Sequence, residues 1–132
     1  MLAYLWVAIG GAIGSMSRFW VSQLVANRYG IVFPWGTLVI NVTGSFLIGI
    51  FAALNEADGH MGASPTFRQF FMVGICGGYT TFSSFSLETL RQVQAGNLLY
   101  AGGNVILSVM LCLVAVWLGY VVGALINSTK GH

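Results

Sequence analysis

Four long apolar runs divided by short polar punctuation make up the chain, and polar residues return inside those runs at helical spacing. A helix rises about 1.5 Å per residue and the hydrocarbon layer is about 30 Å thick, so about 20 apolar residues make one crossing. The runs predict transmembrane helices over residues 2–26, 34–54, 68–93 and 98–127. Pro34 suits a helix N-terminus, Arg68 and Glu88 bracket the apolar stretch Gln69 to Leu87, and the fourth run carries no ionisable side chain except Cys112 and tyrosines. Asn27 to Phe33 and Gln94 to Asn97 read as turns. Asn55 to Thr66, with Glu56, Asp58, Gly59, His60, Gly62 and Pro65, is the only real loop. The expected fold is therefore an all-α membrane protein, a single four-helix domain over residues 1–132.

Composition names lipid as the solvent. The 132 residues are 57% hydrophobic and 6% charged, whereas soluble domains carry roughly a quarter charged residues. Five Lys/Arg and three Asp/Glu can solvate loops but not the surface of a globule. The net charge of +2 is small and scattered, which excludes a nucleic-acid partner. Cys76 and Cys112 lie inside apolar runs without a disulfide or metal motif and read as small hydrophobes. No basic residue precedes the first run, which is long enough to span, so a cleavable signal is not expected.

Four crossings put both termini on one side. Arg68 and Lys130 then share a side, opposite Arg18, Arg28 and Arg91. Such near balance gives no firm orientation. Counting alone favours scarcity of charge as the cause over insertion in both directions. So small a bundle can hardly enclose a polar path by itself, which points to a subunit interface. Gly10 and Gly14, and Gly44 and Gly49, mark faces where helices can approach closely.

The polar residues inside the runs carry the chemistry. Thr37, Asn41 and Ser45 share one face of the second run, and Tyr100, Asn104, Ser108 and Cys112 share one face of the fourth. Interhelical hydrogen bonding is the ordinary role of such residues, and a path lining is the rarer one. All are neutral and most can donate, which favours an anion or neutral solute over a cation. The third run reads Gly77-Gly78-Tyr79-Thr80-Thr81-Phe82-Ser83-Ser84-Phe85-Ser86-Leu87-Glu88. Paired glycines before Thr and Ser predict a helix broken near mid-membrane, at Gly77 to Thr80. Carbonyls and amides freed there need protein, water or an ion as partner. Beyond the break, Thr81, Phe85 and Glu88 share a face with Phe82 nearby. Packing or lipid contact is the plain reading of the phenylalanines, and an interfacial end that of Glu88. Arg18 lies well inside the first run, where it either snorkels to the boundary or draws anions.

These motifs resemble the Fluc family of fluoride channels, also called CrcB. The likeness spans the whole chain: its length, four runs, Gly36-Thr37-Leu38 with Asn41 and Gly44, Arg18, and above all the Gly77 to Glu88 string. It implies an antiparallel, dual-topology homodimer in the bacterial cytoplasmic (inner) membrane, which reverses the preference from charge counting. It also implies passive fluoride export: HF entering from an acid exterior ionises inside, and fluoride leaves down the membrane potential. By the resemblance, a structural sodium ion at the dimer centre is held by the carbonyls of Gly77 and Thr80. Two pores flank it, fluoride meeting Asn41 and the edges of Phe82 and Phe85. Ser83, Ser84, Thr37, Glu88, Asn104 and Ser108 extend the lining, and Arg18 serves an anion vestibule. Ser84 stands where many relatives have threonine, and Asn104 where some have tyrosine.

A small multidrug exporter, the proton-coupled alternative, calls for a membrane carboxylate, typically in the first helix. This first run offers Arg18 instead. A cofactor-bearing anchor subunit would need paired intramembrane histidines, yet His60 and His132 fall outside the runs. An enzyme is not expected, since no nucleophile–base pair or metal cluster can be assembled from the sequence.

Overall fold

A computed structural model describes residues 1–56 and 61–129. The loop residues Asp58, Gly59 and His60, and Lys130 and His132 at the end, lie outside the described residues. Helix α1, Leu2–Tyr29, has 28 residues and stops where Gly30 takes φ 79°. It runs three residues past the expected end, because Asn27 and Arg28 continue the helix and only the glycine turns the chain. Pro34, with no amide to donate, stands just before α2, Trp35–Leu54.

The third segment starts at Pro65, one residue after Ser64, whose hydroxyl accepts from the Phe67 amide. It passes through a widened π-helical stretch, Gln69–Cys76, and ends with Gly77–Tyr79. Residues 65–79 are taken together as α3. Helix α4, Phe82–Gln94, follows after two extended residues, and α5, Leu98–Thr129, after a turn at Gly96 with φ 78°. All regular structure among the described residues is helical.

Three of these stretches are long and apolar enough to cross a membrane: Trp35–Leu54, Pro65–Gln94 and Leu98–Thr129. The expectation from sequence was four. At about 1.5 Å per residue α1 is roughly 42 Å long, ample in length. Its apolar run is diluted by Ser15, Ser17, Arg18, Ser22 and Gln23.

Glycines decide which helices meet. Gly10 and Gly14 on α1 oppose Gly74 and Gly78 on α3 in a reciprocal ladder: a Cβ at Gly10 would sit 2.5 Å from the Phe70 carbonyl oxygen, and one at Gly78 2.7 Å from that of Gly11. Helix α5 meets α2 the same way, through Gly119 and Gly123 against Phe46 and Ile50, and Gly49 against Val116. Large apolar side chains such as Phe19, Trp20, Leu99 and Trp117 point outward, as lipid requires, and Ile40 and Asn104 are the largest side chains fully buried.

Candidate functional site

The break in the third segment is real but begins later than the glycines. Gly77 and Gly78 are both helical; Gly78 packs against Gly11 of α1, and Gly77 faces the cavity. The chain leaves the helix at Thr80 (φ −81°, ψ 157°) and Thr81 (φ −152°, ψ 114°). What holds it open is Asn41. Its Nδ2 donates to the Thr81 carbonyl at 3.0 Å, and its Oδ1 accepts from the Thr81 amide at 2.7 Å. One side chain on α2 thus supplies both partners that a continuous helix would have given Thr81. Gly44, one turn along α2, makes room, since a Cβ there would overlap the Thr80 methyl.

Thr81 also starts the next helix. Its hydroxyl oxygen accepts from the Ser84 amide at 3.1 Å and lies 3.2 Å from the Ser83 hydroxyl and 3.1 Å from that of Ser84. Two carbonyls are thereby relieved of the amides four residues ahead of them. The Thr81 amide, which would close a turn on Gly77, goes to Asn41, and the Ser84 amide, four residues past Thr80, goes to Thr81.

An open-sided cavity of about 390 Å³ collects Asn41, Gly77, Thr80, Phe82, Phe85 and Ser108, with Cys76 and Cys112 also in its wall. The Phe82 and Phe85 rings lie 5.3 Å apart, tilted by 50°. Phe85 is buried at 8% exposure while Phe82 stands out at 78%. Ser83 and Ser84 sit behind the break, joined to Thr81.

The remaining candidates are elsewhere. Thr37 and Glu88 belong to a second cavity of about 370 Å³, shared with Ser22, Arg91 and Gln92. There the Thr37 hydroxyl donates to Glu88 Oε1 at 2.7 Å, and Glu88 Oε2 is buried without a hydrogen-bond partner among the described residues. Arg18, half-buried, lies one helical turn from Ser22 and makes no hydrogen bond or ion pair among the described residues. Asn104 lines neither cavity. At 0% exposure it donates from Nδ2 to Thr89 Oγ1 at 2.9 Å and accepts from the Ser108 hydroxyl at 3.2 Å.

Thr81 as helix cap, Thr89, and Arg91 with Gln92 in the second cavity are not among the residues expected from sequence to form the site. A Thr three residues before Ser84 at a helix start was a usable cap signal. Thr89 had none, because its role depends on which face α5 presents.

Chemically, the first cavity offers the Asn41 amide, the hydroxyl residues Ser45, Thr80, Thr81 and Ser108, and two phenyl rings. No cluster of three or more His, Cys, Asp or Glu is present among the described residues. Phenyl edges carry the positive end of the ring quadrupole, and with amide and hydroxyl donors they suit a small anion.

The family described as CrcB-like protein, Camphor Resistance (CrcB), matches residues 5–120. A fluoride-specific ion channel of Methylocella silvestris is 55% identical over 97% of this chain and 98% of its own length. Those of Rhodospirillum rubrum (58% identical, 96% and 98%) and Opitutus terrae (56% identical, 99% of each) are equally close in extent. With the break, the asparagine latch and the paired phenylalanines in one cavity, the chain belongs to the CrcB/Fluc family of fluoride ion channels.

Proposed function

We propose that this chain is half of a passive, fluoride-selective channel formed by two copies inserted in opposite orientations. In this reading α1 crosses the membrane as well, with Arg18 at a wet vestibule, giving four crossings per copy. The observation that carries the reading is the meeting of the Asn41–Thr81 latch with Phe82 and Phe85 in one cavity. Fluoride is small and tightly hydrated, so stripping its water needs close donors fixed before it arrives. The latch holds the amide of Asn41 and the first turn of α4 in register, and the phenyl edges add positive potential without a charge that would trap the ion.

The same geometry supports the dimer. The cavity is open on one side, Phe82 projects from the chain, and the near balance of basic residues, Arg68 and Lys130 against Arg18, Arg28 and Arg91, permits both orientations. Two copies give two pores, each walled by both. Thr37 and Glu88 extend the path toward one end, with Ser83, Ser84 and Ser108 as further hydroxyls.

The Gly77 and Thr80 carbonyls fit a small hard cation, being oxygen donors whose customary amide partners are held by Asn41 and Thr81. A sodium ion bound there would supply a positive centre tying the two breaks together. The setting is a bacterial cytoplasmic membrane, where the potential drives the anion outward.

The test is purified protein in liposomes loaded with fluoride, followed by a fluoride electrode after a potassium shunt is opened. Rapid release is expected, and release no faster than from protein-free vesicles refutes the channel. Exchange of a cationic dye for protons instead would support the exporter.

A further inference from the structure

Helix α4 carries Phe82, Phe85 and Glu88, yet the break uncouples it from the rest of its own segment. At its start it is held by Asn41 and the Thr81 cap. Further along, a string of hydrogen bonds ties it to α5. The Ser108 hydroxyl donates to Asn104 Oδ1, Asn104 Nδ2 donates to Thr89 Oγ1, and the Thr89 hydroxyl donates to the Phe85 carbonyl at 2.8 Å. The string starts in the cavity wall at Ser108 and ends on the backbone of a cavity phenylalanine.

Asn104 is the middle link and is wholly enclosed. A buried amide gains by pairing, and here Thr89 on α4 takes one N–H while Ser108 on α5 donates to its oxygen, so both helices fix its rotamer. It uses one amide N–H and its oxygen in these bonds, and it lines neither cavity, whereas a lining residue would face the path.

We propose that Asn104 with Thr89 is a positioning pair that sets the placement of Phe85, rather than a contact of the permeating ion. The inference rests on the channel reading above. A sub-ångström shift of α4 moves the phenyl edges relative to Asn41, and donors to a tightly hydrated anion tolerate little slack.

The test compares fluoride efflux from liposomes for the unaltered protein, Thr89→Val, Thr89→Ser, Asn104→Ala and the double variant Thr89→Val/Asn104→Ala, with elution volume in detergent as the assembly control. An unaltered protein that does not conduct refutes the channel reading itself. Given conduction, Thr89→Val and Asn104→Ala should each slow efflux about tenfold, and Thr89→Ser should stay within about twofold of the unaltered protein. The double variant should be no slower than the worse single one, because both cut the same string. Slowing by Asn104→Ala with normal efflux from Thr89→Val would overturn the proposal and make Asn104 an ion contact. Normal efflux from both, or multiplied losses in the double variant, would also overturn it. If Thr89→Val is not recovered assembled, Thr89→Ala takes its place with the same outcomes.

Discussion

Replacing Asn41 by alanine probes the break most directly. The substitution removes a donor to the Thr81 carbonyl and an acceptor from the Thr81 amide in one step. Each backbone group left unpaired away from water costs about 1–3 kcal/mol, so the pair should cost about 2–6 kcal/mol. Relaxation has one obvious route: the Thr81 amide swings back toward the Gly77 carbonyl and a helical turn forms. That would recover part of the loss while straightening the segment and moving Phe82 around the axis. Either outcome disables the site, so both stability and conduction should fall. For a chain of this size 1 kcal/mol corresponds to roughly 4 °C, and the lower bound therefore predicts a midpoint lowered by about 8 °C. The midpoint is read from the loss of the monodisperse peak in detergent after stepwise heating, and conduction from fluoride efflux. Asn41→Asp keeps an acceptor for the Thr81 amide and should lose less stability than Asn41→Ala. An alanine variant that melts and conducts like the unaltered protein refutes the latch.

Phe82→Ile should leave elution unchanged and reduce fluoride efflux at least tenfold, because an aliphatic side chain has no positive edge; full conduction would remove Phe82 from the path. Gly119→Ala places a Cβ onto the Phe46 carbonyl, so α2 and α5 must part, at about 1–3 kcal/mol, seen as a lowered midpoint in the same heating assay. In a Cys76→Ser background, methanethiosulfonate modification of Cys112 should slow efflux, since Cys112 is half-buried in the cavity wall, and unaltered efflux after confirmed modification would argue against a path there. Thr37→Val strips Glu88 of its hydroxyl donor, leaving both carboxylate oxygens without a hydrogen-bond partner among the described residues, and should lower the midpoint by several degrees.

The helices were legible because a run of apolar residues, glycines at the turns and Pro34 all act locally. The break was legible in kind and displaced in place. Gly77 and Gly78 advertise weak helix, but both are helical, with Gly78 packed tightly on α1, and the departure falls where Asn41, some 40 residues away, can bond Thr81. The stripe of Asn104 and Ser108 was visible as a stripe, while its direction was not. Period tells which residues share a face, and only packing tells what that face meets. Gly119 and Gly123 obey the same spacing rule as Gly10 and Gly14 and could have been read with them. Pairs such as Thr37 with Glu88 join residues 51 apart and belong to the tertiary level alone.

The two extended residues at Thr80 and Thr81 have one more consequence, an electrical one. A helix carries about half a positive charge at its amino end and half a negative charge at its carboxyl end. In an unbroken crossing these poles would face opposite sides of the membrane. Here the carboxyl end of α3 and the amino end of α4 come within two residues of each other, midway along the apolar stretch Pro65–Gln94, and fields are weakly screened in apolar surroundings. In the channel proposed above, a chain with almost no formal charge in its interior would thereby offer a seat for either sign, cation beside the Gly77 carbonyl end and anion beside the Phe82 amide end, from backbone dipoles alone.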